Sequence, residues 1–307
     1  MKHPEFSFEV IIPVYNGEKY LKAQLDSILE QRYLPERIII SDDGSIDASL
    51  DIIHSFAAGT TVSVVIEEGP RKGVVENVFF ALAKTKAEYV FLADQDDVWL
   101  PNKVELFCDL MTTSKLPHLI FSDAILWFSN QKRDKEVSFW LHEGIDPVNA
   151  NIVANQVFRN SVQGASMAIN RALINKLGDH SNVLMHDWWC ALIACSLGDI
   201  SVIDTPTLLY RQHENNLVGA DTGTRTVKQK FEASRKIFKQ GIAFGETFKG
   251  QFDEYHSDFF DDLTLAFRSS RIKRLLFLLK YKPSRKNRLR SLTLLLSILL
   301  LNTKALR

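Results

Sequence analysis

The chain has 307 residues, a mass of 35.0 kDa, 46% apolar residues and 24% charged ones. It is long enough for one large α/β domain with an appendage or for two small domains, a sizeable core can form, and bulk disorder is excluded. Lys+Arg and Asp+Glu both number 37, but no acidic residue follows Asp262 while residues 263–307 carry 12 Lys/Arg, which leaves 25 basic against 37 acidic residues in 1–262, a net of −12. An acidic body with a basic tail points to a tail that meets an anionic surface.

In chain order, the first 125 residues alternate β-rich runs with helical patterns. Residues 10–14 read as a buried strand, and Leu21, Leu25, Ile28 and Leu29 follow at helical spacing. Residues 38–40 are a second strand running into SDDGS, and Ile52, Ile53 and Phe56 mark a second helix. Residues 62–66 are a third strand and 74–83 a third helix, with Gly73 before it. Residues 89–93 are a fourth strand running into DQDD. Pro101 suits the first turn of a helix that carries Val104, Phe107, Cys108 and Met111. Residues 119–122 are a fifth strand. Such alternation predicts a mostly parallel sheet with helices on both faces.

Residues 126–160 are poorly periodic and read as a long loop or small helices over the sheet edge. Residues 164–169 read as a further strand, 171–177 as a helix and 188–197 as a buried helix. Residues 200–204 and 207–211 read as short strands around Pro206. Residues 225–248 and 252–267 read as amphipathic helices. The expected organisation is one catalytic-type domain over 1–220 and a helical, basic extension over 221–307. Cys108, Cys190 and Cys195 are odd in number and lack metal spacing, so a reduced compartment is the simplest reading. The N-terminal segment lacks an apolar signal core, so secretion by that route is not expected. The nearly apolar run 292–301 would be about 15 Å long as a helix, half a bilayer core, and is not a membrane span.

In parallel sheets ligands bind at the carboxyl ends of the strands. Asp42 and Asp43 end the second strand, and Asp94, Asp96 and Asp97 end the fourth. Carboxylates gathered at one edge repel unless a cation joins them. Ordinary turn chemistry explains one such cluster, but two at the same edge favour a site.

Three blocks, VIIPVYNGEKYLKAQLDSILEQ, IIISDDGSIDAS and YVFLADQDDVWLPNKVE, together resemble glycosyltransferase family 2 over roughly residues 8–216. SVQGASMAINR, MHDWW and YRQHENNLVG are most similar to its bacterial rhamnosyltransferase-type members. The resemblance implies a GT-A fold, an inverting single displacement, a nucleotide-sugar donor and Mn²⁺ or Mg²⁺. It assigns Asp96 as the direct metal ligand and Asp94 to ribose or a metal-bound water, with Gln95 between them. His213 is a further ligand or else bonds a backbone carbonyl. Asp97 reads as structural, capping the next helix.

The same resemblance makes Asp42 and Asp43 the nucleotide-binding pair, where a carboxylate can accept N3–H of uracil or thymine. Pro13, in the first strand, is expected at the donor site, and Tyr15, two residues on, either stacks on the base or packs in a turn. Asn16 contacts the donor or caps the first helix. Asn77 lies near the donor, and Arg71 and Lys72 meet phosphate or solvent. Gly164 belongs to a small-residue stretch below the sugar. Asp187 matches the general base, preceded here by His186 where Glu is commoner, and its alternative is to cap the helix that follows. Trp188 and Trp189 are an acceptor platform or core.

For the tail, Ile272, Leu275, Leu276 and Leu279 give an apolar face flanked by Arg271, Lys273, Arg274 and Lys280. It reads as a helix lying on an anionic membrane, or as one packed on the body or on a second subunit of a homo-oligomer. Nucleic acid is not an expected partner, because aromatic interleaving is missing. The expected setting is cytoplasmic, at the inner face of the cell membrane. The expected donor is dTDP-rhamnose first, then a UDP-hexose or UDP-galactofuranose, with a saccharide or lipid-linked acceptor. A non-catalytic nucleotide-sugar-binding scaffold is the rival reading. A dinucleotide oxidoreductase lacks its G-x-G-x-x-G turn, since PVYNGE stands there.

Overall fold

The computed structural model describes residues 6–128, 137–213 and 227–283, together with Leu299. The apolar run 292–301 (Leu299 excepted), the basic run after Pro283 and the NNLVG stretch lie outside the described residues. In chain order the elements are β1 (Phe8–Val14), α1 (Leu21–Leu29), β2 (Arg37–Asp42), α2 (Ser49–Gly59), β3 (Ser63–Glu68), α3 (Val74–Ala83), β4 (Tyr89–Leu92), β5 (Val98–Trp99) and α4 (Lys103–Cys108). There follow β6 (His118–Ser122), β7 (Ile125–Phe128), β8 (Val137–Ser138), α5 (Phe139–Glu143), α6 (Val153–Gln156), β9 (Met167–Asn170), α7 (Arg171–Ile174) and α8 (His186–Leu197). The last are β10 (Asp199–Ile203), β11 (Leu208–Gln212), α9 (Val227–Thr247), α10 (Glu254–Arg268) and α11 (Arg271–Tyr281).

Seven strands form the main sheet in the order β10-β6-β9-β4-β1-β2-β3. All its pairings are parallel except those of β9, which runs antiparallel to both β4 and β6. The parallel strands alternate as a twice-covered sheet requires. Val10, Ile12, Ile38 and Ile40 pack with Leu21, Leu25 and Ile28 of α1, Ile53 of α2 and Phe107 of α4. Ile11, Ile39, Val90 and Leu92 face the other way, against α3 and α8. A second sheet, β5-β11-β7-β8, sits beyond the carboxyl edge of β4.

Helices α9 to α11 share the larger apolar cluster with α6 and α8, through Phe238, Phe244, Phe259 and Phe277. The ring of Phe238 stacks on Phe267, with centroids 3.9 Å apart. Among the described residues no helix is long and apolar enough to cross a membrane.

Several expectations need correction. The strand expected at 164–169 begins at Met167, because Ser166 turns its amide and hydroxyl back to the carbonyl of Gln163 and closes a 3-10 turn over Gly164–Ser166. The helix expected over 171–177 ends at Ile174. The two strands around Pro206 join different sheets. The irregular stretch 126–160 holds, besides small helices, the short strands β7 and β8.

Candidate active site

Strands β1, β2 and β4 run parallel, so Tyr15, Asp42 and the 94–97 turn emerge at one edge. The reversal of β9 matters here. An antiparallel strand between β4 and β6 presents its amino end at that same edge, and the Gly164–Ser166 turn precedes it directly. The amide of Gly164 in turn donates to Oδ2 of Asp187 at 3.2 Å, which brings the start of α8 to the edge as well.

At the β2 end, Oδ2 of Asp42 accepts the amides of Gly44 (3.1 Å) and Ser45 (2.9 Å). Its other oxygen, Oδ1, is enclosed and has no protein partner. Asp43 accepts the amides of Arg71 (2.6 Å) and Gly73 (2.8 Å), and so folds the segment before α3 over the edge. Gln95 clamps the Tyr15 backbone: its Oε1 accepts the Tyr15 amide at 2.9 Å and its Nε2 donates to the Tyr15 carbonyl at 3.1 Å. The Tyr15 ring stays 57% exposed, free to stack. A Cβ on Gly17 would lie 2.6 Å from that Gln95 oxygen, so the clamp requires glycine there.

Two residues expected at the donor also brace the edge. Asn77 is buried and bonded both ways to Ser41, donating to its carbonyl and accepting its hydroxyl, so it braces the β2 end from beneath. Asn16 does not cap α1, which begins after Tyr20. Its side chain accepts the Ile46 amide at 2.9 Å. Pro13 is half-buried in β1, paired with Ser41.

Past β4, one carboxylate oxygen from each of Asp94, Asp96 and Asp97 lies within 4.8 Å of the others. Nε2 of His213 lies 2.8 Å from Oδ2 of Asp96, with both side chains less than a fifth exposed. Hard oxygen donors with one imidazole suit Mn²⁺ or Mg²⁺. Asp97 shares the cluster with Asp96. It is fully buried, accepts the Arg211 amide at 3.0 Å, and caps no helix, because β5 intervenes before α4. Arg211 also donates from Nε to the Asp96 carbonyl at 2.7 Å, and its guanidinium lies between the rings of Tyr20 and Trp127.

Lys103, unmarked in the sequence, is fully buried behind the turn. Its Nζ donates to the Ala165 carbonyl (3.2 Å) and to the Thr207 hydroxyl (3.3 Å). Burial lowers its pKa to about 7, against the opposing pull of Asp97 and Asp94. Asp94 is pushed up to about 7, mainly by burial and then by the charges of Asp96 and Asp187, with Lys103 offsetting. Asp97 is raised well above the usual range by burial and by the charges of Asp96 and Asp94. A divalent cation would relieve this repulsion.

Asp187 lies in the first turn of α8 rather than capping it; the cap position is Met185. Besides Gly164, its carboxylate accepts the Trp188 amide at 2.6 Å and a bond from the Asn160 side chain. Burial raises its pKa, which His186 and these donors only partly offset. His186 is buried, and a Cβ on Gly164 would sit 2.7 Å from its Nε2. Trp188 is half-buried and donates to the Gln156 carbonyl at 2.6 Å. Trp189 is core: it is 1% exposed, packs edge-on against Phe244 and donates to the Leu177 carbonyl, so it offers no platform.

The same architecture occurs in solved structures. S. aureus TarS, residues 1–349 in complex with UDP-GlcNAc, matches with a TM-score of 0.56 at 16% identity, over 85% of this chain and 73% of that one. Mannosyltransferase PcManGT from Pyrobaculum calidifontis, in complex with GDP-Man and Mn²⁺, matches with a TM-score of 0.52 at 17% identity, over 97% and 88%. The fold is that of the GT-A glycosyltransferases. Residues 9–136 match the family model for glycosyl transferase family 2. The dTDP-rhamnosyl transferase RfbG of Shigella flexneri is 27% identical over 222 residues, covering 67% of this chain and 73% of its own.

Proposed function

We propose that the chain moves a sugar, first choice rhamnose from dTDP-rhamnose, to a saccharide or lipid-linked saccharide of a bacterial surface polysaccharide, with inversion and with Mn²⁺ or Mg²⁺. The observation that carries this is the convergence of a half-buried carboxylate, Asp187, and the Asp94–Asp96–Asp97 cluster with His213 beside it on one sheet edge. Asp96 and His213 would hold the cation. When bound, it supplies positive charge to the diphosphate leaving group. Asp187 accepts the acceptor hydroxyl's proton as that oxygen attacks the anomeric carbon, and the raised pKa favours proton uptake. A single displacement inverts the centre and needs no covalent intermediate.

The unpartnered Oδ1 of Asp42 supports a pyrimidine base, whose N3–H it would accept. Uracil and thymine offer the same donor, so a UDP-hexose or UDP-galactofuranose is the second reading. The name of the Shigella relative favours dTDP-rhamnose. Residues 1–220 would form the catalytic unit and 221–307 a helical extension whose basic tail meets the inner face of the cell membrane.

The test follows nucleoside diphosphate release from dTDP-rhamnose, UDP-glucose, UDP-galactose and GDP-mannose, with and without Mn²⁺. Release from dTDP-rhamnose that is lost on chelation and in Asp96→Ala is expected. Calorimetry showing that none of the four donors binds would overturn the reading.

A further inference from the structure

Helix α11 has two opposed faces. Arg274, Phe277 and Leu278 point inward and are buried. Ile272, Leu275, Leu276 and Leu279, at the same i, i+3, i+4, i+7 spacing, point outward and are 44–70% exposed. On an ideal helix this stripe is flanked by Lys273 and Lys280 on one side and Arg271 on the other, all exposed. The helix carries no acidic residue. Lys282 follows it, and the sequence adds Arg285, Lys286, Arg288 and Arg290.

We propose that this outward stripe is a docking surface for an anionic phospholipid bilayer, which fixes the orientation of the catalytic body on the membrane. The inference rests on the proposed transfer to a lipid-linked acceptor. Apolar side chains inserted below the headgroups, with cations snorkelling at their flanks, are what such a surface recognises. Exposed Arg271 and Lys273 on opposite flanks, with exposed Lys282 after the helix, favour lipid over a second copy of the chain. A four-residue stripe also falls short of the roughly 800 Å² per partner of a stable protein interface.

The inward face explains why the orientation matters. Phe277 packs against Phe158 and Phe259, with centroids 6.1 and 5.5 Å apart. Phe158 lies between Gln156, whose carbonyl holds Trp188, and Asn160, which bonds Asp187. Lys280 is anchored to Asp262 at 2.8 Å. The lipid-facing helix is therefore bolted to the segment beside the general base, where an acceptor on a lipid carrier would arrive.

The experiment is co-sedimentation of the full chain with phosphatidylcholine vesicles, with and without phosphatidylglycerol. Binding only to the anionic vesicles, weakening as salt rises, is expected. Leu276→Asp should weaken it about tenfold or more, while Leu116→Asp, at another exposed leucine, should not. Equal binding to neutral vesicles, no binding, or wild-type binding by Leu276→Asp overturns the proposal. So does a halved mass for Leu276→Asp in sedimentation velocity, which would mean that the stripe covers a second copy. Donor hydrolysis by the same proteins keeps the two readings apart. Vesicle binding without turnover sinks the reaction, and turnover without vesicle binding sinks the docking surface.

Discussion

Nζ of Lys103 donates to the carbonyl of Ala165 across 3.2 Å and so joins the helix after the acidic turn to the turn that carries Gly164. The ammonium lies buried between Trp99 and Phe107 and serves Asp97 and Asp94 as their internal cation. Lys103→Met would leave those carboxylates without it. The Ala165 carbonyl would also lose its donor, and a buried polar group left unsatisfied costs about 1–3 kcal/mol, so the variant should unfold at lower urea concentration than the wild type. An unchanged midpoint would show that the cation does not support the turn.

Asp187→Asn should abolish most turnover, by about 10²- to 10⁴-fold, with donor binding retained. Its effect on stability should be small. Folding raises the pKa of Asp187, so folding favours the protonated form, and the ionised carboxylate costs stability above the ordinary carboxylate range. A neutral amide escapes that cost, but its one oxygen can accept only one of the Gly164 and Trp188 amides, which bond different carboxylate oxygens. The two effects oppose, so the variant should melt close to the wild type, and a large drop would mean that the carboxylate is chiefly structural.

The same shift sets a pH dependence. A base acts only when deprotonated, so turnover should fall on the acid side, through an apparent pKa above the 3.8 of an ordinary aspartate. The fall should be seen in donor turnover measured with acceptor across pH, and Asp187→Asn should lose it. A flat acid limb in the wild type would count against Asp187 as the base.

Gly164→Ala should damage activity through His186. The added methyl would lie 2.7 Å from the buried imidazole, and overpacking of this kind costs about 1–3 kcal/mol. The double variant Gly164→Ala/His186→Ala should recover stability relative to Gly164→Ala alone. Failure to recover would place the strain elsewhere.

Asp42 predicts base choice. UDP and dTDP should bind more tightly than GDP, and Asp42→Ala should narrow the gap, since an unpaired N3–H in a closed site costs about 1–3 kcal/mol. Calorimetry with the three nucleotides measures it, and equal affinities in the wild type would rule out the contact.

Much of the sheet was legible because its strands are continuous apolar runs, each ending in a polar turn. Asp42, Asp94 and Asp96 stood out as carboxylates at those ends, and Asp187 only through the family resemblance of MHDWW. Other residues owe their roles to tertiary contacts that no local pattern carries. Lys103 reads as a surface lysine in a short helix until Thr207 and Ala165 close over it. Arg211 looks like one polar residue of a short strand, yet it holds the Asp96 carbonyl 115 residues away. Trp189 and Trp188 are adjacent and alike in sequence. The turn of α8 sends Trp189 into the core under α9 and leaves Trp188 half-buried. Two-residue strands such as β5 and β8 are too short for any periodicity to reveal, and that is why Asp97 was expected to cap a helix.

The ladder between β5 and β11 pairs Val98 with Leu209 and Trp99 with Leu208. Asp96 stands two residues before one of these strands, and His213 just past the end of the other. Their separation is thus written into backbone register. Segments elsewhere between them can lengthen or shorten without altering the distance between the two side chains, whereas a one-residue slip in this ladder would part them with both residues still present.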